Sequence, residues 1–270
     1  MGRGSWSEGN SQILRTYRFF VNEDQLREGE VRIVGADARQ IRTVLRMNVG
    51  DEIEVIVGGC HYAARMTNIA KDTVKAEILE SLDPRTEPAV RITLAQALPK
   101  GDKLDWIIQK GTEIGVSEFV LIRSRRCVAR LDSHRMALRV SRLRRIAKEA
   151  AEQSGRCIIP KIRGVVKFNE LLREVGEYDP ALFCWEGKDA EILGNVIGGL
   201  AEMGNILVMI GPEGGFTEEE TAEAIRAGAK PVSLGNRVLR CETAALAASA
   251  IIVHETDRRA AVGTEPERSA

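Results

Sequence analysis

The stretch from Ile206 to Glu220, ILVMIGPEGGFTEEE, carries a short apolar run into a loop with three glycines, one proline and a bare carboxylate, and then opens a helix. Glycine-rich loops between a strand and a helix ordinarily cradle phosphate, on backbone N–H groups and the positive end of the helix dipole. The spacing here is G-P-E-G-G, neither G-x-G-x-x-G nor G-x-x-x-x-G-K-[ST]. Glu213 would repel a phosphate, and Glu218, Glu219 and Glu220 already use the dipole. No lysine lies between Ile206 and Arg226. Such a loop suits a neutral or cationic ligand that the backbone approaches closely, for instance a nucleoside carrying an amino acid and a sulfonium. The alternative is a tight strand-to-helix turn with no ligand.

A second stretch, VSLGNRVLRCETAALAASA from Val232 to Ala250, places a Gly235-Asn236 turn and two arginines, Arg237 and Arg240, before a helix that starts near Cys241. That helix is alanine-rich and apolar almost all round, which fits a buried helix or a subunit interface. Taken alone, the stretch reads first as a core helix preceded by two surface arginines. The third feature is charge. Between Arg123 and Lys148 stand ten cations against Asp132 alone, and Arg156 and Lys161 extend the run. Unless a polyanion covers them, such cations repel one another, so RNA is the expected partner. The other explanation is a solvated helix face.

These stretches sit in two kinds of sequence. Residues 1–14 are polar and rich in glycine and serine, and are expected to be disordered. Over residues 15–82 short β patterns follow closely: TYRFFV, EVRIV, DEIEVIV with Ile53, Val55 and Val57 on one face, CHYAARMTNI and DTVKAEILES. Gly58-Gly59 is the expected turn, and the helix DARQIRTVL takes Asp37 as its N-cap. Closely spaced strands suggest a small barrel. Residues 83–89, DPRTEPA, look like a linker. Over residues 90–257 strands and helices alternate, which predicts an α/β fold with a mostly parallel sheet covered on both faces and a ligand beyond the carboxyl ends of its strands. There GDKLDWIIQKGTEIG puts Leu104, Ile107, Ile108 and Gly111 on one stripe with Gly115 as the stop, Asp132 caps a long helix, and Thr217 with Glu220 forms a capping box. Residues 258–270 are expected to fray.

The bulk composition excludes little. Lysine plus arginine and aspartate plus glutamate each total 39, and 44% of residues are apolar. Five cysteines, with no C-x-x-C pair, argue against a disulfide framework or a zinc site, and the three histidines are isolated. No apolar run approaches a membrane span and the N-terminus lacks a secretory h-region, so the cytoplasm is the expected compartment.

IGPEGGFTEEE followed by LGNRVLRCETAALAA resembles the paired C-terminal signature of the RsmE-type 16S rRNA (uracil-N3) methyltransferases, members of the SPOUT superfamily that use S-adenosyl-L-methionine. KGDKLDWIIQKGTEIGV, EAAEQSGRCIIP and the opening RFFV match as well. The resemblance implies a PUA-like β-barrel that binds RNA, followed by a SPOUT-type α/β domain with a trefoil knot. It also implies a homodimer and methylation of N3 of the uridine at position 1498 of 16S rRNA in the small ribosomal subunit. Carried over by position, Ile210, Gly211, Pro212, Glu213, Gly214 and Gly215 would hold the methyl donor together with Ser233, Leu234, Gly235, Arg237 and Leu239. Glu186 would join from a third loop. Arg240 is the first candidate for stabilising the uracil anion and Arg237 the second. Glu242 is either a general base or a helix cap. Arg18, Arg46, Lys103 and Lys110 are expected to touch RNA, as are Arg123, Arg125, Arg126, Arg130 and Arg156. One departure is Gln40, which stands where members often carry a histidine. Three rivals remain open: a SPOUT enzyme with another RNA target, a non-catalytic RNA-binding assembly factor, and a nucleotide-dependent enzyme.

Overall fold

The computed structural model describes residues 17–127, 133–187, 190–199 and 204–263. The expectations for residues 1–14, for Asp132 as a cap and for Arg130 as an RNA contact lie outside these. The chain divides at Asp83/Pro84 into two compact units.

The first unit is one six-stranded sheet. Its strands are β1 (Arg18–Val21), β2 (Leu26–Arg27), β3 (Glu30–Val34), β4 (Glu52–Val57), β5 (Cys60–Ile69) and β6 (Thr73–Leu82). They lie in the order β1-β4-β5-β6-β3-β2, with β1 and β4 parallel and the other neighbours antiparallel. Alternation in β4 buries Ile53 and Val55 completely, as the sequence pattern predicts. Helix α1 (Gly35–Arg39) runs on into a π-helical turn, Gln40–Leu45. Its N-cap is Val34 and not Asp37: β3 hands directly to the helix, and Asp37 falls in the first turn, where the helix dipole favours a carboxylate. His61 is a core histidine, 3% exposed and 3.0 Å from Glu54.

The second unit is built on a seven-stranded, wholly parallel sheet. Its strands are β7 (Arg91–Ala97), β8 (Glu118–Arg123), β9 (Lys161–Lys167), β10 (Ala181–Cys184), β11 (Glu191–Ile192), β12 (Asn205–Ile210) and β13 (Lys230–Ser233). The order is β11-β13-β10-β12-β7-β8-β9. Parallel strands covered on both faces need apolar residues at nearly every position, and LAQA, FVLI, ALF and ILVMI supply them. In β7, Ile92 and Leu94 face one apolar layer while Ala95 and Ala97 face the other. The first layer packs under helices α2 (Lys103–Ile114), α3 (Ser133–Ser154), α5 (Leu193–Gly198) and α7 (Cys241–Gly263). The second lies under α4 (Phe168–Leu171) and α6 (Glu218–Arg226), with Phe183 and Phe216 stacked at a 4.5 Å centroid distance. The stripe expected on α2 is buried, and Gly115 ends the helix at φ 122°. Strand β9 and the short α4 and α5 escape the sequence patterns, because each is too short or too polar to show a period.

Three expectations are corrected here. The segment expected to be a linker is built into the second unit from Thr86 onward. The Glu87 carboxylate accepts from the backbone N–H groups of Cys157 and Ile158 and pairs with Arg156 at 2.6 Å, while Ala89 donates to Asp257. Arg156, expected to touch RNA, is 2% exposed and donates to the carbonyls of Thr112 and Val116 besides Glu87. Of the segment expected to fray, residues 258–263 are instead helical: α7 continues to Gly263, and Arg259 donates to the carbonyls of Ile197 and Gly198 at the end of α5, while 264–270 lie outside the described residues.

Candidate functional site

Loops leaving the carboxyl ends of β8, β10, β12 and β13 surround a cleft of about 530 Å³, the position expected for a ligand on a parallel sheet. Residues Ile210 through Gly215 form one wall, closed behind by Phe216. Ser233, Leu234, Gly235, Arg237, Leu239 and Arg240 form the facing wall. Glu186 joins from the loop after β10, and Arg126 reaches in from the loop after β8. The two glycine-bearing stretches, far apart in sequence, thus meet across one cavity.

Each wall is locally determined. The Thr217–Glu220 capping box forms in full, with the Glu220 N–H donating to Thr217 Oγ1 at 3.2 Å and the Thr217 N–H to Glu220 Oε2 at 2.9 Å. This sets where α6 begins, so the preceding loop has fixed length. Glu220 is itself buried and takes the Arg125 N–H at 2.7 Å. In the loop Gly215 has φ 67°, and Arg126 Nη1 donates to the Gly214 carbonyl at 2.6 Å. On the opposite wall the Gly235 N–H donates to Ser233 Oγ, and the Arg240 carbonyl accepts the Ala244 N–H to start α7.

The lysine missing after Glu213 comes from 110 positions earlier in the chain. Lys103 Nζ lies 3.0 Å from Glu213 Oε1 and 3.1 Å from Glu242 Oε2. The Lys100 N–H also donates to Glu213 at 3.0 Å. Burial pushes the Glu213 carboxyl up, but Lys103 and backbone N–H groups outweigh it and leave it below the usual range. Burial likewise raises Glu242, and backbone and Cys241 hydrogen bonds together with Lys103 bring it below its ordinary value. Bonds to Glu213 and then Glu242 hold Lys103 more firmly protonated than a free lysine. One ammonium against two carboxylates leaves an excess negative charge beside the cleft. Glu242 is not among the residues lining the cavity. Cys184 and Cys241 do line it, and burial pushes both thiols up to about 12, so they stay protonated.

Arg237 and Arg240 are exposed at the mouth, and neither side chain makes an ion pair or hydrogen bond among the described residues. The basic island differs. Arg125 pairs with Glu219 and Glu223, Arg142 with Asp105, Arg145 with Glu149 and Lys148 with Glu152. Arg126 and Arg139 donate to the carbonyls of Gly214 and Gly101. Four of these cations thus have anions, supplied by α2, by α6 and by α3 beyond Lys148, so the run is less bare than its own stretch of sequence implies. Arg123 and Arg46 are exposed, Lys110 pairs with Glu113 and Arg18 with Glu54. Lys103, expected at RNA, faces the two carboxylates instead. Trp185 and Cys184 line the cleft and escaped notice, although the carboxyl-end rule, applied to ALFCW, points to them. Among the described residues no group of three His, Cys, Asp or Glu is placed to hold a metal, and no helix is long and apolar enough to cross a membrane.

Comparison with known proteins agrees with this geometry. A family model described as an RNA methyltransferase domain matches residues 86–253. The ribosomal RNA small subunit methyltransferase E of Bacillus subtilis is 34% identical over 250 residues, covering 90% of this chain and 98% of the relative. A solved structure of the protein of that name from Neisseria gonorrhoeae, bound to S-adenosyl methionine, superposes with a TM-score of 0.78 at 33% identity, over 87% of this chain and 95% of that one. The chain belongs to the RNA methyltransferase family, among the ribosomal RNA small subunit methyltransferase E proteins.

Proposed function

We propose that this protein transfers a methyl group from S-adenosyl-L-methionine to N3 of a uridine in 16S rRNA, the uridine at position 1498. The observation that carries the proposal is the division of charge at the cleft: an excess carboxylate beside the wall and two unpaired arginines at the mouth. A nucleoside cofactor bearing a sulfonium fits the first and an RNA base that must become anionic fits the second. The volume lies within the range of small-molecule sites. Ile210 to Gly215, Ser233 to Gly235, Leu239 and Glu186 would hold the cofactor, which when bound supplies an electrophilic methyl group.

Neutral uracil N3 carries a proton and is a poor nucleophile. A guanidinium at O2 or O4 stabilises the charge that develops as this proton leaves. Arg240 takes that role, with Arg237 beside it. Glu242 is a weak general base, because burial, which would raise it, is outweighed by backbone and Cys241 hydrogen bonds and by Lys103, which hold it ionised below its ordinary pKa. It serves the cleft through its charge, and the N3 proton passes to solvent. Holding base and methyl donor in line supplies much of the remaining acceleration.

The same proposal includes a PUA-like barrel built from the six-stranded sheet, a trefoil knot around the β12 and β13 loops, and a homodimer in the cytoplasm. The dimer would form on α7, where Thr243, Ala247 and Ala250 make a small-residue stripe at helical spacing. Light scattering on the purified protein tests the dimer. Mass spectrometry of 16S rRNA from a strain lacking this gene, with and without complementation, tests the reaction. Loss and return of a single methylated uridine is the expected result, and an unchanged methylation pattern overturns it.

Gly211 offers a local test of the cofactor site. A Cβ there would meet the Phe216 ring at 3.1 Å and the Gly215 backbone at 3.3 Å, so the wall must shift by a few tenths of an ångström. Gly211→Ala is expected to weaken S-adenosyl-L-homocysteine by about tenfold or more while leaving RNA affinity intact, as read by calorimetry and filter binding.

A further inference from the structure

We infer that Lys103 is a positioning residue for methyl transfer, a strap that joins the two walls of the cleft through Glu213 on one and Glu242 on the other. This rests on the reading of the cleft as the cofactor site.

The placement of Lys103 is the first argument. It is the first residue of α2, where the helix dipole disfavours a cation and no side-chain cap is made. Two carboxylates from remote loops offset that disadvantage. Glu213 belongs to the β12 loop and Glu242 to the first turn of α7, which the β13 loop enters directly. Without a cation between them these carboxylates would repel, and the walls would part or one carboxylate would take up a proton. Lys103 ties the start of α2 to both walls by its side chain, and the Lys100 N–H on Glu213 braces the same side.

The second argument is what faces the cluster. The charged and titratable groups acting on it are Lys103, Glu213, Glu242 and Cys241, the last donating to Glu242 at 3.2 Å. The thiol is neutral, and among the described residues Lys103 is the cation paired with both carboxylates. Its side chain is 29% exposed, against 28% for Glu213 and 16% for Glu242. The cluster is part-hydrated, and its effect belongs to local order and charge more than to global stability. An RNA phosphate would have to displace two carboxylates already bonded to the ammonium, so Lys103 serves the cofactor side of the site.

The test compares Lys103→Met and Lys103→Arg with the unaltered protein. Calorimetry with S-adenosyl-L-homocysteine is expected to show binding weakened about tenfold in Lys103→Met and largely restored in Lys103→Arg. Removing the ammonium raises both carboxylates, so the acid limb of methylation against pH should move to higher pH in Lys103→Met and return in Lys103→Arg. Binding and pH profile unchanged in Lys103→Met overturn the proposal. So does a loss that is uniform across pH, unrescued by arginine and matched by a fallen Tm, since that marks a merely structural residue. Failure of the unaltered protein to bind S-adenosyl-L-homocysteine sinks the cofactor reading itself, a separate outcome.

Discussion

Arg240→Ala is expected to lower kcat for methyl transfer by about 10²–10³-fold, the usual effect of removing one preorganised donor from a developing oxyanion. Cofactor affinity should change little, because Ser233, Leu234, Gly235 and Leu239 of that wall stay in place. Stability should stay within about 0.5 kcal/mol, as expected for an exposed side chain without partners. Arg237→Ala should show a smaller loss of the same kind. The contrast with the rest of the basic surface gives the prediction its force. Arg125, Arg142 and Arg145 each have a carboxylate of their own, so removing one takes away a shared charge. Arg240 has none to satisfy, and its charge is available to the base. The decisive measurement is single-turnover methylation of 16S rRNA or small subunits with saturating cofactor. Near-normal turnover in Arg240→Ala, with uracil N3 still the product, would remove this arginine from the chemistry. A raised KM with unchanged kcat would make it an RNA anchor instead.

What could be read from the sequence follows a physical division between local and distant causes. The parallel sheet was legible because strands buried on both faces must be apolar at nearly every position, and ILVMI and EFVLI are. The α6 boundary was legible because a capping box is written in four consecutive residues. The two glycine-bearing loops were legible as a pair through resemblance alone; no local rule says that residues 211 and 235 meet. Lys103 is hidden for the same reason: its partners stand 110 and 139 positions away, and at a helix start among charged residues it looks like a free cation. The basic island was overstated because a window counts the charges inside it and misses Asp105, Glu219 and Glu223. Strand β9 stayed hidden because an edge strand with one weakly covered face carries no clean alternation. A polar sequence without periodicity predicts fraying from 258, yet α7 runs to Gly263 with Arg259 bonded to the end of α5, to partners 62 and 61 positions away that no local pattern shows.

Arg156→Met is the second large effect, and it falls on stability. The guanidinium lies at the amino end of the sheet, away from the carboxyl-end loops that form the cleft. It spends Nε and Nη2 on Glu87 and Nη1 on the carbonyls of Thr112 and Val116. Methionine fills a similar volume but takes a donor from two carbonyls, of which Thr112 keeps the Gly115 N–H, and leaves a carboxylate without its counter-ion. Removing one partner of a buried ion pair costs about 3–5 kcal/mol, and the 26% exposure of the Glu87 side chain places the expectation near the lower end. Glu87→Gln should cost less, since an amide oxygen still accepts from the N–H groups of Cys157 and Ile158. Denaturant unfolding followed by tryptophan fluorescence measures both. The same variant separates two accounts of this arginine. If it were an RNA contact, as its place in a run of cations suggests, Arg156→Met would weaken RNA binding and leave the unfolding midpoint alone. The buried position requires the reverse: a lowered midpoint, with RNA and cofactor affinities unchanged at temperatures where the variant is folded.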